Sequence, residues 1–559
     1  MLKGFLFFAL CAVVSCGQTP EVSSTDEAVT FQSKVNLVVV PVVVRDQHGK
    51  TVGNLKQEYF QLLDRGKPQV ISKFSIEKTG GTEIARISVP ATAASSNEPG
   101  VPPVTAPDHF VGLLFDDIHS SFAELSGTRT AAQRLISTAL QPADRIAIFT
   151  TSGQTALNFT DDREQLNQTL LKLRPHPIAR STTQDCPDIS FYQSDQIINQ
   201  QDDAALAAAA QEVIFCLKLA PNAMATARQI AQSKAMQVLQ AGEHETTIAF
   251  STIRDAVRGM AVMPGQRTLV LASPGFLRVN EQLADEEALI DLAIHSGVII
   301  NALDARGLYV DSPDASYRPI TLAAERSKQS LNRQAAFLQS GVLDELAAGT
   351  GGTFIRNTND LNAGLKQLGA APEVYYLLGF SPQNMKLDGA FHALKIRLKN
   401  ASGLSVKARL GYYAPRHLAD AGEQAKEEIN QAVFSRDEIR DIPVDLNTQF
   451  FKTGDDEAKL VVLSKVDVGK LKFRKDDGRN VDNVEVVCAL FDHNGNYIQA
   501  FSKTVQMRLR DETLQRGVGD GLTVHNDFKV APGTYIIRLV VRDSEGQTMA
   551  ARNGAVEIP

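Results

Sequence analysis

Apolar residues change their spacing several times along this chain, and each change marks a boundary. Residues 34–86 read as β structure. Val35-Asn36-Leu37-Val38-Val39-Val40-Pro41-Val42-Val43-Val44 is rich in β-branched residues, and Asp46-Gln47-His48-Gly49 follows as a turn. A Pro-, Ala-, Ser- and Thr-rich stretch from Pro90 to Pro107 reads as a linker. From Phe110 the pattern alternates. Phe110–Phe115 is a continuous apolar run, as a parallel strand covered on both faces requires, and residues 124–140 have helical spacing. Further strands are expected at Arg145–Thr150, Arg267–Ala272, Gly297–Leu303 and, after Gly351-Gly352, at Thr353–Ile355, with helical stretches between them. This order predicts a doubly wound α/β domain over 108–370. Residues 174–240, alanine-rich from Asp203 onward, read as a helical elaboration between two core elements.

The β texture returns at 373–415, with Tyr375–Phe380 and Leu394–Leu398. Two or three strands cannot bury an apolar face alone, so this segment is expected to pack with the N-terminal module at 31–89, leaving the α/β domain inserted between them. An acidic, polar stretch at 419–430 separates a last domain, 436–559, whose alternation predicts a β-sandwich. The string Val43-Val44-Arg45-Asp46 with Gly49 recurs as Val540-Val541-Arg542-Asp543 with Gly546, and more loosely as Phe491-Asp492 with Gly495. Asp and Gly at this spacing suit hairpin turns.

The first sixteen residues are of another kind. Lys3 precedes an apolar run from Phe5 to Val14, too short to span a bilayer and suited to an export signal. Val13-Val14-Ser15-Cys16 resembles a lipobox, which implies lipidation of Cys16; plain secretion is the alternative. An extracytoplasmic location changes the meaning of the later cysteines. In an oxidising compartment Cys186 and Cys216 are natural disulfide partners, and closing their loop stabilises by about 3–4 kcal/mol. Cys488, in a strand-like run, reads as a buried thiol. Of the 559 residues 43% are hydrophobic and 22% charged, the balance of globular protein, and the net charge of -7 offers no basic surface for nucleic acid.

Candidate chemistry concentrates in the loop that ends the first α/β strand: Asp116-Asp117-Ile118-His119-Ser120-Ser121. Ligands of open α/β sheets bind beyond the C-terminal ends of the strands. Together with Leu113-Leu114-Phe115-Asp116, Gln141-Pro142-Ala143-Asp144-Arg145, Ala348-Gly349-Thr350-Gly351-Gly352 and Gly411-Tyr412-Tyr413, this loop resembles the von Willebrand factor type A superfamily. The similarity is closer to the A-like domains of exported acidobacterial proteins, and it runs from about residue 31 to 415. The resemblance implies a metal site built from Asp-x-Ser-x-Ser, a Thr from a later loop and an Asp after a later strand. A hard cation needs such oxygen ligands. Here Ile118 or His119 replaces one hydroxyl, depending on whether Asp116 or Asp117 is aligned, and Pro274 stands where the last Asp belongs. Ser120 and Ser121 remain, and Thr182 or Thr183 would supply the Thr. Three readings follow: an intact Mg²⁺ site, an altered and weak divalent-cation site that uses His119, or a loop in which Asp116 and Asp117 cap the next helix.

Enzyme motifs fail on inspection. His244-Glu245-Thr246-Thr247-Ile248 has Ile where a second zinc ligand must be. Gly517–Gly521 has no phosphate-loop context and reads as a turn. The expectation is therefore a non-enzymatic cell-envelope protein, requiring no cofactor, that recognises a protein partner through the Asp116–Ser121 face or the neighbouring insertion. It would meet a membrane only through a lipid at Cys16. A hydrolase with an unrecognised site and a purely structural envelope component are the rival classes.

Overall fold

The computed structural model describes residues 21–27, 38–47, 50–78, 83–84, 104–105, 107–178, 186–220, 222–308, 322–370, 374–382, 390–399, 403–414, 421–435, 438–454 and 456–559. Cys16, the export segment, most of the linker, Thr182 and Thr183 lie outside them. The apolar run at 110–115 forms strand β1 (His109–Phe115), all seven residues of which are buried. It is joined by β2 (Asp144–Thr150), β3 (Leu157–Thr160), β4 (Gln266–Ser273), β5 (Val298–Asp304) and β6 (Phe354–Ile355) in the order β3-β2-β1-β4-β5-β6. Every neighbouring pair is parallel except β3 on β2. The chain leaves β1 in one direction and returns on its other side at β4, so the crevice of a doubly wound sheet opens above these two strands.

In chain order the helices are α1 (Phe122–Thr138), α2 (Arg163–Leu170), α3 (Phe191–Ile198), α4 (Asp203–Cys216), α5 (Met224–Ala261), α6 (Leu283–His295), α7 (Leu322–Thr350), α8 (Leu361–Gly369), α9 (Ala421–Val433) and α10 (Asp511–Asp520). Leu135, Ile136, Leu166 and Leu365 of α1, α2 and α8 cover one face of the sheet, packing on Leu113, Ile148 and Val270. Phe250, Ile253, Leu289 and Leu343 of α5, α6 and α7 cover the other, packing on Leu114, Leu269 and Ile300. Each such side chain contributes about 1.5–3 kcal/mol by leaving water.

The insertion is a helical layer of α3, α4 and the first half of α5. Its core is Ala205, Ala209, Ala210, Ala227, Ala231 and Ala235. Such small residues let helix axes approach closely, and Gly242 gives way to the Phe191 ring, which a Cβ there would overlap. A disulfide joins Cys186 to Cys216, with Cα atoms 6.1 Å apart. The helical elaboration does not stop at residue 240, as its composition suggested. α5 runs unbroken for 38 residues. Its buried stripe simply changes partner, from the alanines of the insertion to the sheet, and no proline intervenes.

The strands before and after the α/β domain share two sheets. Val38–Arg45 pairs with Val374–Phe380 and Ser405–Ala408, while Phe60–Asp64 pairs with Phe391–Leu398. Val40, Val42, Leu62, Tyr376, Leu378 and Phe380 form their common core. The C-terminal part is a sandwich. Val444–Lys452, Ala458–Val466 and Leu522–Val530 form one sheet. The other is built on Arg479–Asp492, Tyr497–Leu509, Gly533–Asp543 and Thr548–Ile558, and Val22–Glu27 from the other end of the chain extends it. Cys488 is a free thiol in this core, and burial pushes its pKa up to about 12. The recurring Asp has one use in common. Asp46, Asp492 and Asp543 each accept backbone amides within their own turn, from Lys50, from Asn494 and Asn496, and from Gly546.

Two segments take a form the sequence did not announce. Most of the acidic, polar stretch falls in α9, whose Ile429 and Val433 pack on Val487, Ala489 and Val540 of the sandwich. Gly517–Asp520 close helix α10, and Gly521, with φ +69°, ends it; the glycines mark a helix terminus in place of a turn.

Both flanking parts attach at the end of the sheet where the parallel strands begin. Arg267, at the start of β4, donates to the carbonyls of Met263, Ser296 and Phe434. Arg145, at the start of β2, reaches the His493 carbonyl, and Asn496 reaches that of Phe159. On the other side Gly351 lies against Arg409, and Lys407 bonds Thr353. Gly352 has no room for a side chain, because a Cβ would collide with the Ile300 carbonyl. Gly352→Ala should therefore destabilise the protein by about 3 kcal/mol. Gly259→Ala, on open α5 surface, should stabilise by about 1 kcal/mol. Opposite shifts of the thermal midpoint are expected from the two variants, and equal shifts would refute this account of the packing.

Candidate functional site

Because the four central strands are parallel, the loops after β1, β2, β4 and β5 meet at one end of the sheet. Ser121 caps α1: its hydroxyl accepts the Glu124 amide at 3.3 Å, and its own amide donates to Glu124 Oε2 at 2.7 Å. This capping box serves the helix, so Asp116 and Asp117 are not its caps, contrary to one sequence expectation. Both point into the protein and are fully buried.

Asp116 is the hub of the site. Its Oδ1 accepts from the Thr151 hydroxyl at 2.9 Å and the His119 amide at 3.2 Å; its Oδ2 accepts from the Ser273 hydroxyl at 2.6 Å. His119 Nδ1 lies across both oxygens, at 2.9 and 3.0 Å. The His119 ring stacks on Phe276 with centroids 5.5 Å apart, and its side chain is 16% exposed. Asp117 is held in a similar way. Its Oδ1 accepts from the Thr151 hydroxyl at 3.0 Å and the Ser152 amide at 2.8 Å, and its Oδ2 from the Ser152 hydroxyl at 2.5 Å. His176 Nδ1 stands 3.0 Å from Asp117 Oδ2, and the His176 amide donates to the Asp117 carbonyl at 2.6 Å. The structure thus joins Asp116, Asp117 and His119 to Thr151, Ser152, His176 and Ser273, which were not expected as members. The first two follow a strand end directly and could have been found by that rule. His176 could not, because it sits in an irregular segment.

Electrostatics follow from this packing. Burial alone raises the Asp116 carboxyl, but the charge and hydrogen bond of His119, with Ser273 and Thr151, outweigh it and hold the group below its ordinary value. For His119 burial favours the neutral ring. Asp116, with Glu245 and Asp117 behind it, overcomes that and lifts the imidazole above its usual value.

The site fits a hard cation poorly. Mg²⁺ needs near-octahedral oxygen ligands at about 2.1 Å. Every oxygen of Asp116 and Asp117 is already engaged by hydroxyl, amide or imidazole donors. His119 spans the two Asp116 oxygens where a cation would sit. Ile118 is an apolar core residue, 3% exposed. The Ser273 hydroxyl is oriented by donating to Asp116 while accepting the Gly275 amide at 2.9 Å. Pro274 brings no ligand to this loop, which lies against α7 through Gly275. Only Ser120 Oγ in the Asp116–Ser121 loop is buried without a partner. Among the described residues no group of three or more His, Cys, Asp or Glu side chains could hold a metal ion.

No family model matches this chain, and no curated protein matches it. Among solved structures, an aerotolerance-related membrane protein from Bacteroides fragilis is 14% identical, over 46% of this chain and 96% of that one, with a TM-score of 0.24. BatB from Bacteroides thetaiotaomicron is also 14% identical, over 47% and 96%, with a TM-score of 0.24. A β-glucuronidase from Bacteroides uniformis is 11% identical over 35% of this chain and 20% of that one, with a TM-score of 0.15. Likenesses this slight carry no argument, so the reading of the site rests on its own geometry.

The pair Asp116–His119 sets a pH window. A carboxyl whose pKa is lowered by folding stabilises fully above its unfolded value of about 4 and loses that as pH falls through the folded value. An imidazole whose pKa is raised stabilises fully below about 6.5 and loses that as pH rises through the folded value. Both contributions are complete only between about pH 4 and 6.5. His119→Ala, which leaves Asp116 buried without its cation, should cost about 3 kcal/mol in that window. The gap in thermal midpoint between wild type and variant should narrow as pH rises past it. A gap that stays constant to pH 9 would show that His119 acts through packing alone.

Proposed function

We propose that this chain is an exported cell-envelope protein whose α/β domain is von Willebrand A-like and binds a protein partner at the C-terminal end of its sheet, without a metal ion. The observation that carries this reading is a set of large apolar side chains held in water around the closed acidic cluster. Phe122 is 62% exposed, Ile178 45% and Leu308 60%. Phe122 follows the Ser121 cap. Ile178 is two residues from His176, which bonds Asp117. Leu308 is tied by its amide to Asn359, just before α8. α8 in turn packs beside α1, where Leu361 touches Gly127. Phe122, Ile178 and Leu308 therefore lie in segments that follow, or bond to, the loops at this end of the sheet. Exposed large apolar residues gathered at one end of a domain are what a protein-binding face uses.

Several further features support the reading. A doubly wound α/β sheet is what the resemblance implied, and the disulfide suits an oxidising compartment. The flanking β parts bond to the opposite end of the sheet. Since the acids are saturated internally, the apolar rim supplies affinity and the acid–imidazole cluster keeps the loops rigid.

Crosslinking in the native envelope, followed by identification of the captured protein, tests this. The crosslinked species should persist in EDTA and fall at least tenfold with Phe122→Glu or Leu308→Glu. Loss in EDTA, or capture unchanged by both substitutions, would contradict the reading.

A further inference from the structure

Helix α7 has two halves with different tasks. Val342, Leu343, Leu346 and Ala347 belong to the core of the α/β sheet, while Leu331 and Ala335 of the first half pack into the insertion with Tyr192, Ala209 and Val213. The outward side of this first half is unusual for a helix surface. Arg326, Ser330, Arg333 and Phe337 recur at intervals of four, three and four residues and so form one stripe. Phe337 is 71% exposed and Leu338, beside it, 44%. Between this stripe and α3 lies a groove of about 480 Å³, lined by Tyr192, Ser330, Arg333, Gln334, Phe337 and Leu338.

The polar groups of the groove are already committed, apart from Arg333. The Tyr192 hydroxyl donates to Gln334 Oε1 at 2.7 Å, and Gln334 Nε2 faces the Ser330 hydroxyl at 3.4 Å. Lys328 is neutralised by Asp188 and Glu212. Arg333, and Arg326 two turns before it, make no hydrogen bond or ion pair with any described residue. Two turns of helix separate these guanidinium groups by about 11 Å along the axis. A concave apolar surface with an uncommitted guanidinium at its wall lacks one thing, a carboxylate carried next to a large apolar side chain.

We propose that the groove between α3 and the first half of α7 receives an acidic, apolar segment of a protein partner. A large side chain of that segment packs on Phe337 and Leu338 against Tyr192, and its neighbouring carboxylate pairs with Arg333. A second carboxylate two helical turns away meets Arg326. This deepens the reading that the domain binds a protein, by giving the insertion a contact of its own and the partner a chemistry. An anionic lipid surface fits less well. The nearby Lys328 is cancelled by two carboxylates, so few cationic groups face outward here.

The test uses the described chain from residue 21 and a fluorescein-labelled peptide of alternating glutamate and leucine, with its lysine-for-glutamate counterpart as comparison, read by fluorescence anisotropy. The acidic peptide should bind at least tenfold more tightly than the basic one. Arg333→Glu should lower its affinity about tenfold and raise that of the basic peptide, a reversal that misfolding would not produce. Phe337→Ala should weaken binding at least fivefold, whereas Phe122→Glu should leave it unchanged, which separates this groove from the face around Asp116. Equal affinity for the two peptides, or wild-type affinity in both groove variants, would overturn the proposal. So would tighter, Arg333-dependent binding to phosphatidylglycerol vesicles than to the acidic peptide, which would make the groove a lipid site.

Discussion

A carboxylate with no access to water must be surrounded by donors or lose its charge, and Asp116 meets that demand with four side chains and amides drawn from three loops. Thr151 comes from the end of β2, Ser273 from the end of β4, and His119 from its own loop. To satisfy one buried acid, the chain has to bring the ends of β1, β2 and β4 into a single arrangement. Asp117 extends the constraint through Thr151 and Ser152 to His176, and so to the segment that leads into the insertion. The rigidity of this face is a consequence of solvating two charges without water.

The choice of imidazole as the cation has consequences. A divalent ion would neutralise the acids and still offer a coordination position to a partner's carboxylate. An imidazolium neutralises one acid and offers nothing similar, because Nδ1 is spent on Asp116 and the ring lies on Phe276. Under the proposed reading, recognition by this face comes from what surrounds the cluster, namely Phe122, Ile178 and Leu308. The remaining architecture agrees with that use. Half-buried Arg267 collects three carbonyls, one of them from the segment after α9, and binds the sandwich to the end of the sheet away from Asp116 and Asp117. Burial pulls this guanidinium down to about 10, still charged at neutral pH, so it must keep all three partners.

Much of the fold could be read from the sequence wherever burial was uniform. Phe110–Phe115 announces a strand covered on both faces, and the return of β texture at Tyr375–Phe380 fits its pairing with Val38–Arg45. Reading failed where partners are remote. Val22–Glu27 carries little apolar signal, and its hydrogen bonds go to Ser502–Met507, far along the chain. α9 is polar in composition because only one face of it meets the sandwich. The site divides on the same principle. Asp116, Asp117 and His119 stand in one short loop and are visible together, whereas Thr151, His176 and Ser273 become partners only through the winding of the sheet. The roles given to the acids by the pattern of the loop, ligand or cap, both assumed that they face outward. Zero exposure and Ser121 capping exclude the cap.

The central claim is that imidazole and hydroxyl groups, not a metal ion, hold this face in shape. Isothermal titration of the purified chain with Mg²⁺, Mn²⁺ and Ca²⁺ at pH 6 tests it most directly. The account predicts no saturable heat at millimolar ion and no shift in thermal midpoint. Stoichiometric micromolar binding of Mg²⁺, abolished by Asp116→Asn, would contradict it.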